Sequence, residues 1–266
     1  MNKSFSECSP KEIRELCRSG KFALPTAGFC PNYVQANLVI LPGDCADEYV
    51  DFLKKNPKPC PVLEIIRGGK QPISKTVAPG SNIAKDFPRY RVYRDGVLVD
   101  EPTDISELWS EDMVAVLVGC SLTFEAKLTA AGIRMAHYEN NLRVPMYNTN
   151  IACEPSGRFG SHFVVSMRPI PADLVDLAVK ITEPMDYAHG GPVHIGDPSA
   201  IGVKDVMHPD YGDPPVIQEG EIPVFWACGV TAQVAAMEAG PKLVIAHSPG
   251  YMLITDVQID ELENNK

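Results

Sequence analysis

Two short stretches of this chain carry similar reactive residue types at the same spacing. In the first, Cys120 is followed by Ser121, Thr123 and Glu125; in the second, Cys228 is followed by Thr231 and Gln233. A helix N-terminus beside a thiol supplies backbone N–H donors and a positive field, which holds an anion and favours the thiolate. Cys120 or Cys228 could then act as a base or an acyl-accepting nucleophile, with the exposed N–H groups steadying an oxyanion. Glu125 and His247 are the further proton carriers that the pattern offers. The candidate catalytic set is therefore Cys120, Ser121, Glu125, Cys228, Thr231 and His247. A plainer reading stays open, because free cysteine is also a favoured small core residue.

The elements around each cysteine match as well. Residues 113–118 form a short apolar run rich in β-branched side chains, which reads as a strand buried on both faces. Gly119 breaks it, and Ser121 can cap a helix that stops at Gly132. The second copy is Ile222-Pro-Val-Phe-Trp-Ala-Cys228-Gly-Val-Thr-Ala-Gln233, with Ala239-Gly240 aligned on Ala131-Gly132. Each copy then runs through a second expected strand to an Ala-His pair, Ala136-His137 or Ala246-His247, at spacings that differ by two residues. Strand, cysteine turn, helix, glycine stop, strand and Ala-His repeated twice suggest an internal duplication. Two such units face to face would set two thiols and two helix N-termini on one cleft. If the strands ran parallel in one sheet, both turns would lie at the carboxyl edge where such sheets bind ligands.

The remaining chain must position these groups. Ser9-Pro-Lys-Glu12 reads as a capping box opening a helix that ends at Gly20, with Cys17 on its apolar stripe. Residues 33–41 read as a strand, or as a short helix running into one, and on a strand Gln35 and Asn37 share a face. Residues 44–55 suit an amphipathic helix with Tyr49, Phe52 and Leu53 inward, and residues 61–66 a strand ended by Gly68-Gly69. Asp95-Gly96 signals a hairpin beside the cluster Arg89, Arg91 and Arg94, which can hold a carboxylate or simply pair with neighbouring acids. Residues 139–150 are polar and loop-like. With the first loop they supply the candidate substrate-binding residues Asn32, Gln35, Asn37, Tyr147, Asn148 and Asn150. Strand, helix and strand signals at 162–167, 171–181 and 193–195 follow, and His194 reads as a structural histidine.

The expected architecture is α/β: a mixed sheet with helices on both faces, formed by residues 1–139 and 197–266, plus a smaller inserted α+β two-layer subdomain at 140–196. A chain of 266 residues is long enough to bury such a core. A net charge of −10 with no basic run argues against nucleic acid or an anionic membrane as partner. No apolar run is long enough to span a bilayer, and the polar start, Met1-Asn-Lys-Ser, lacks a signal-peptide core, so a cytoplasmic protein is expected. The eight cysteines show no metal-ligand spacing and read as reduced thiols, of which Cys30, Cys120 and Cys228 sit in turns that can face a cleft. Neither a metal nor a cofactor is expected, and homo-oligomerisation is left open.

Several motifs together resemble one family. Thr26-Ala-Gly with Tyr33-Val-Gln-Ala-Asn-Leu, Phe87-Pro-Arg-Tyr-Arg-Val-Tyr-Arg-Asp-Gly96, Gly119-Cys-Ser, Val144-Pro-Met-Tyr, Gly191-Pro-Val-His-Ile-Gly-Asp-Pro198 and Val224-Phe-Trp-Ala-Cys-Gly-Val-Thr231 are similar, in order and along nearly the whole chain, to the hydro-lyase family that includes D-glutamate cyclase. The resemblance implies a cofactor-independent lyase that cyclises D-glutamate, or a similar small acidic amino acid, to 5-oxoproline with loss of water. The chain departs from the family pattern at Tyr251, where a histidine is usual, at Asn148, where an arginine is usual, and at Cys30-Pro-Asn32, usually Ala-Pro-Gly. Two alternatives compete with this reading. One is an amino-acid racemase or epimerase using the two cysteines. The other is a non-enzymatic small-molecule binding protein of 5-oxoproline metabolism.

Overall fold

The computed structural model describes residues 4–264. Helix α1 (Pro10–Arg18) opens on the expected capping box: the Ser9 hydroxyl accepts the Glu12 N–H, and the Glu12 carboxylate accepts the Ser9 N–H. Strand β1 (Tyr33–Leu41) leads into helix α2 (Gly43–Lys55), whose Tyr49, Phe52 and Leu53 are buried. Strands β2 (Val62–Arg67), β3 (Tyr90–Arg94), β4 (Val97–Asp100) and β5 (Val114–Gly119) follow, with β3 and β4 joined by the Asp95-Gly96 turn. Both turn residues have positive φ, 48° and 78°, as a tight hairpin requires.

Helices α3 (Leu122–Ala130) and α4 (Ala136–Glu139) come next, then strands β6 (Met146–Ala152) and β7 (His162–Pro171) and helix α5 (Val175–Thr182). The chain closes with strands β8 (His194–Ile195) and β9 (Glu221–Ala227), helix α6 (Val230–Glu238), strands β10 (Leu243–His247) and β11 (Leu253–Gln258), and helix α7 (Ile259–Asn264).

The fold is α/β with two sheets. The larger has the order β2-β5-β1-β10-β3-β4, with β11 also paired to β1; the smaller has the order β6-β7-β9-β8. Pairing is antiparallel at every described strand pair, so the cysteine turns do not share the carboxyl edge of a parallel sheet. Strand β5 lies in the larger sheet and β9 in the smaller. The smaller sheet draws β9 from beyond residue 196, so it extends past the 140–196 insertion read from sequence. Residues 146–150, read there as part of a loop, lie on β6, which pairs with β7. Their alternating burial is that of a half-exposed strand, which a polar outer face disguises in sequence.

Strand β5 is buried at all six residues, as its apolar run demanded. Val114, Val116 and Val118 face α2 and α6, whereas Ala115 and Leu117 face an irregular segment carrying Val77, Ile83 and Phe87. Helix packing is crossed between the sheets. Helix α3 leaves the larger sheet, yet Phe124 and Leu128 pack on Ile170, Val224 and Trp226 of the smaller. Helix α6 leaves the smaller sheet, yet Ala232, Ala235 and Ala236 pack with Val39, Val116 and Val118 of the larger. Each helix thus ties its own sheet to the other, and the two helix N-termini meet between the sheets. No helix among the described residues is long and apolar enough to cross a membrane.

Candidate functional site

Strand β5 ends at Gly119, where a side chain cannot fit. A Cβ on Gly119 would stand 1.8 Å from the Tyr187 carbonyl oxygen. The chain turns at once, Cys120 and Ser121 follow, and α3 begins. The second turn is built alike at Cys228 and Gly229. Both cysteines are on the wall of one cavity of about 640 Å3 between the sheets. Asn37, Ser121, His137, Tyr138, Arg143 and His247 are among its other polar wall groups, and Leu24, Phe29, Leu142 and Met252 among the apolar ones.

The duplication seen in sequence persists here as paired contacts. Thr123 and Thr231, each three residues past its cysteine, accept a strand N–H through the hydroxyl: Gln35 of β1 at 3.0 Å and Val164 of β7 at 2.9 Å. Glu125 and Gln233, five past each cysteine, touch the histidine of the matching Ala-His pair: His137 at 3.3 Å and His247 at 2.9 Å. The residue after each cysteine meets the other unit's strand. The Ser121 hydroxyl lies 3.3 Å from that of Ser166 on β7, and Gly229 lies against the Asn37 carboxamide of β1. The match has one break. Ala246-His247 ends a strand, but Ala136-His137 opens the helical turn α4 rather than ending one.

Burial dominates the chemistry of the two thiols. The Leu122 and Val230 N–H groups favour the thiolates, yet desolvation pushes Cys120 up to about 12 and Cys228 up to about 11. Both are therefore thiols near neutrality, and the helix-terminus activation expected from sequence is overridden. Thr231 is wholly buried and serves α6 packing. Ser121 does not cap α3; its hydroxyl accepts from Arg168 at 3.0 Å instead.

Glu125 lies behind the wall rather than on it. Its carboxylate is fully buried and receives the Arg168 guanidinium, the Tyr138 hydroxyl and the His137 imidazole. Burial alone would raise its pKa, but His137, Arg168 and these hydrogen bonds outweigh it and hold the carboxyl near about 2. An ionised carboxylate cannot deliver a proton at neutral pH, so Glu125 acts by orienting its neighbours. Arg168, also fully buried, reaches Ser166 at 2.7 Å and lies over the rings of Phe124 and Trp226.

His247 closes a gap in a strand ladder. Strand β1 pairs with β11 through Ala36 and with β10 from Val39 onward. At the junction the Leu38 N–H donates to His247 Nδ1 at 3.1 Å, and Gln233 Nε2 lies 2.9 Å from the same nitrogen. A backbone N–H can only donate, so Nδ1 carries the lone pair and Nε2 the proton. Burial lowers this histidine to about 4, which keeps the ring neutral.

Five residues singled out in sequence reach the wall: Asn37, Cys120, Ser121, Cys228 and His247. The others do not. Asn32 is exposed on the surface. Gln35 is buried, accepts from Thr26 at 2.8 Å and donates to the Thr26 carbonyl at 3.1 Å, anchoring the loop whose Ala27, Gly28 and Phe29 form part of the wall. Tyr147 is in the smaller sheet's core with its hydroxyl on the Val206 carbonyl, and Asn148 and Asn150 are exposed on β6. Cys30 packs with Ile13, Cys17 and Phe22. His194 bonds the Asp197 carbonyl, Arg91 pairs with Glu101, and Tyr251 supports Arg89 on its ring. Sequence reading missed the site roles of His137, Tyr138, Arg143 and Arg168. A lone arginine inside the apolar strand of residues 163–170 was the available signal for the last of these.

Residues 114–256 match the family profile described as D-glutamate cyclase. A Clostridium beijerinckii protein is 50% identical over 96% of this chain and 97% of its own length, and one from Rubrobacter xylanophilus is 52% identical over 95% and 97%. Each is named "Putative hydro-lyase". A solved nitrogen repressor-like protein from Methanococcus jannaschii aligns over 82% of this chain and 86% of its own at 12% identity, with a TM-score of 0.39, too low to bear on fold or site.

Proposed function

Starting from the membership of this chain in the D-glutamate cyclase family, we propose that it is a hydro-lyase that closes D-glutamate, or a closely similar acidic amino acid, to 5-oxoproline. In that reaction the α-amine attacks the δ-carboxyl carbon, a C–N bond forms, and one carboxyl oxygen departs as water. The reaction is intramolecular, so the protein must chiefly fold the substrate back on itself, accept and return protons, and steady the oxyanion.

The observation that carries the proposal is the meeting of two nine-residue helices, α3 and α6, at one cavity through equivalent turns. A substrate with two carboxylates finds a positive helix end for each. Asn37 and the neutral His247 stand between these ends as polar groups, and the protonated thiols can donate weakly without attacking. Glu125 and Arg168 hold the floor in place from behind.

The test is incubation with D-glutamate, L-glutamate and 5-oxoproline, followed by chiral chromatography. Conversion of one glutamate enantiomer to 5-oxoproline is expected, and absence of turnover in both directions from folded protein removes the proposal. One observation favours a second reading: the two thiols occupy equivalent places on one cavity, as a two-base racemase requires. Their raised pKa values weigh against it. Incorporation of solvent deuterium at Cα during turnover would support racemisation, whereas the cyclase leaves that hydrogen in place.

A further inference from the structure

The two histidines on the cavity wall occupy equivalent places but are held in opposite senses. His247 has its Nδ1 lone pair occupied by the Leu38 N–H, so only Nε2–H remains for the cavity. His137 is turned the other way. Its Nε2 faces the Glu125 carboxylate at 3.3 Å, and an ionised carboxylate only accepts, so this nitrogen carries the proton. In the neutral ring Nδ1 then carries the lone pair, and among the described residues no protein group bonds it. The ring is 5% exposed and forms part of the cavity wall. On the cavity wall such an acceptor is open to whatever the cavity holds.

The residue behind each histidine also differs between the repeats. Position five past the cysteine is a carboxylate in the first unit and a carboxamide in the second. Glu125, fixed by Arg168 and Tyr138, orients His137 and can stabilise an imidazolium. Gln233 carries no charge to do the same for His247.

We propose that His137 is the proton-accepting residue of this site, acting through Nδ1 with Glu125 as its positioning partner, and that His247 is a permanent hydrogen-bond donor through Nε2. The assignment rests on the cyclase reading for its chemistry. His137 takes one proton from the substrate ammonium, and the freed amine attacks the δ-carboxyl carbon. The acquired proton passes to a carboxyl oxygen while His247 donates to the other. His137 then takes a second proton from the new C–N nitrogen and gives it to the departing hydroxyl. Both ammonium protons leave with one oxygen as water, and the ring nitrogen keeps the third.

Two measurements test this. His137→Ala should lower kcat at least about 100-fold, the usual worth of a general base, and added imidazole should restore part of it. His247→Ala should also lose activity, without rescue by imidazole. Undiminished turnover by folded His137→Ala, or rescue at His247 alone, overturns the proposal. Nitrogen NMR on histidine-labelled protein should find the Nε2–H tautomer at both residues, with the His137 Nδ1 signal moving when 5-oxoproline is added. A proton on His137 Nδ1 in the free protein overturns the assignment. The tautomer measurement needs no substrate, so it decides the histidine assignment even where the wild type turns nothing over, an outcome that counts against the cyclase reading alone.

Discussion

At the scale of single residues, desolvation decides what the cysteines can do. Cys120 and Cys228 sit where helix N-termini ordinarily favour a thiolate, yet removal from water costs the charged sulfur more than two backbone N–H groups return. Cys17, Cys45 and Cys153 are raised for the same reason, to about 12, 11 and 12. With a thiol reagent at pH 7.5, rapid labelling is therefore expected at the half-exposed Cys8 alone, with Cys120 and Cys228 reacting only as the fold opens. Mass spectrometry of the labelled peptides checks this. Cys120→Ser and Cys228→Ser should each lower kcat/KM by no more than about tenfold, against the roughly million-fold loss that follows removal of a covalent nucleophile. A loss of that larger size would restore a covalent role for the thiol concerned.

At the scale of elements, the crossed helices are what bring the two turns together. Each helix is fastened to its own unit by one threonine hydroxyl: Thr123 of α3 to the Gln35 N–H, and Thr231 of α6 to the Val164 N–H. Both threonines are almost wholly buried, so Thr→Val keeps the shape but leaves a strand N–H without a partner or water. Thr123→Val and Thr231→Val should each destabilise the protein by about 1–3 kcal/mol in urea unfolding. Effects nearer zero would mean that the strands find other acceptors. Gly119→Ala is expected to be more damaging than either. Its methyl group would be driven into the Tyr187 backbone, which cannot swing aside as a side chain can.

At the scale of the whole molecule, two buried histidines link stability to pH. His247 and His189 are both lowered from 6.5 to about 4, first of all by burial. The unfolded chain binds a proton at each from pH 6.5 downward, whereas the folded chain does so only near pH 4. Stability from these groups is thus fully present above pH 6.5 and is lost as pH falls from 6.5 toward 4, on the order of 3 kcal/mol for each. Glu125 adds to the loss further down: its stabilisation is present above 4.5 and declines as pH falls toward about 2. Urea midpoints measured from pH 7.5 to 4.5 should fall steadily, and His189→Asn should flatten the slope. A midpoint independent of pH across this range would show that neither imidazole is held neutral.

How much was legible in the sequence depends on how far each feature reaches along the chain. The capping box at Ser9, the Asp95-Gly96 hairpin and the buried run of β5 are determined within a few residues, by hydrogen bonds and side-chain spacing that the sequence displays directly. The repeat also carried real information, since Cys120 and Cys228 do share a cavity and Thr123 and Thr231 do play matching parts. Sheet membership was not legible. The same apolar strand followed by a cysteine turn fits either sheet, and only the packing of Phe124 on Trp226 and of Ala232 on Val116 decides between them. The polar outer face of β6 concealed a strand and moved Tyr147, Asn148 and Asn150 away from the site. Arg168 meets Glu125 from 43 positions away, and the Leu38 N–H meets His247 from 209. Local pattern reports contacts within a turn or a strand pair. The protonation state of a buried group is set by whatever the fold brings against it, so which histidine keeps a free lone pair was decided by the tertiary structure alone.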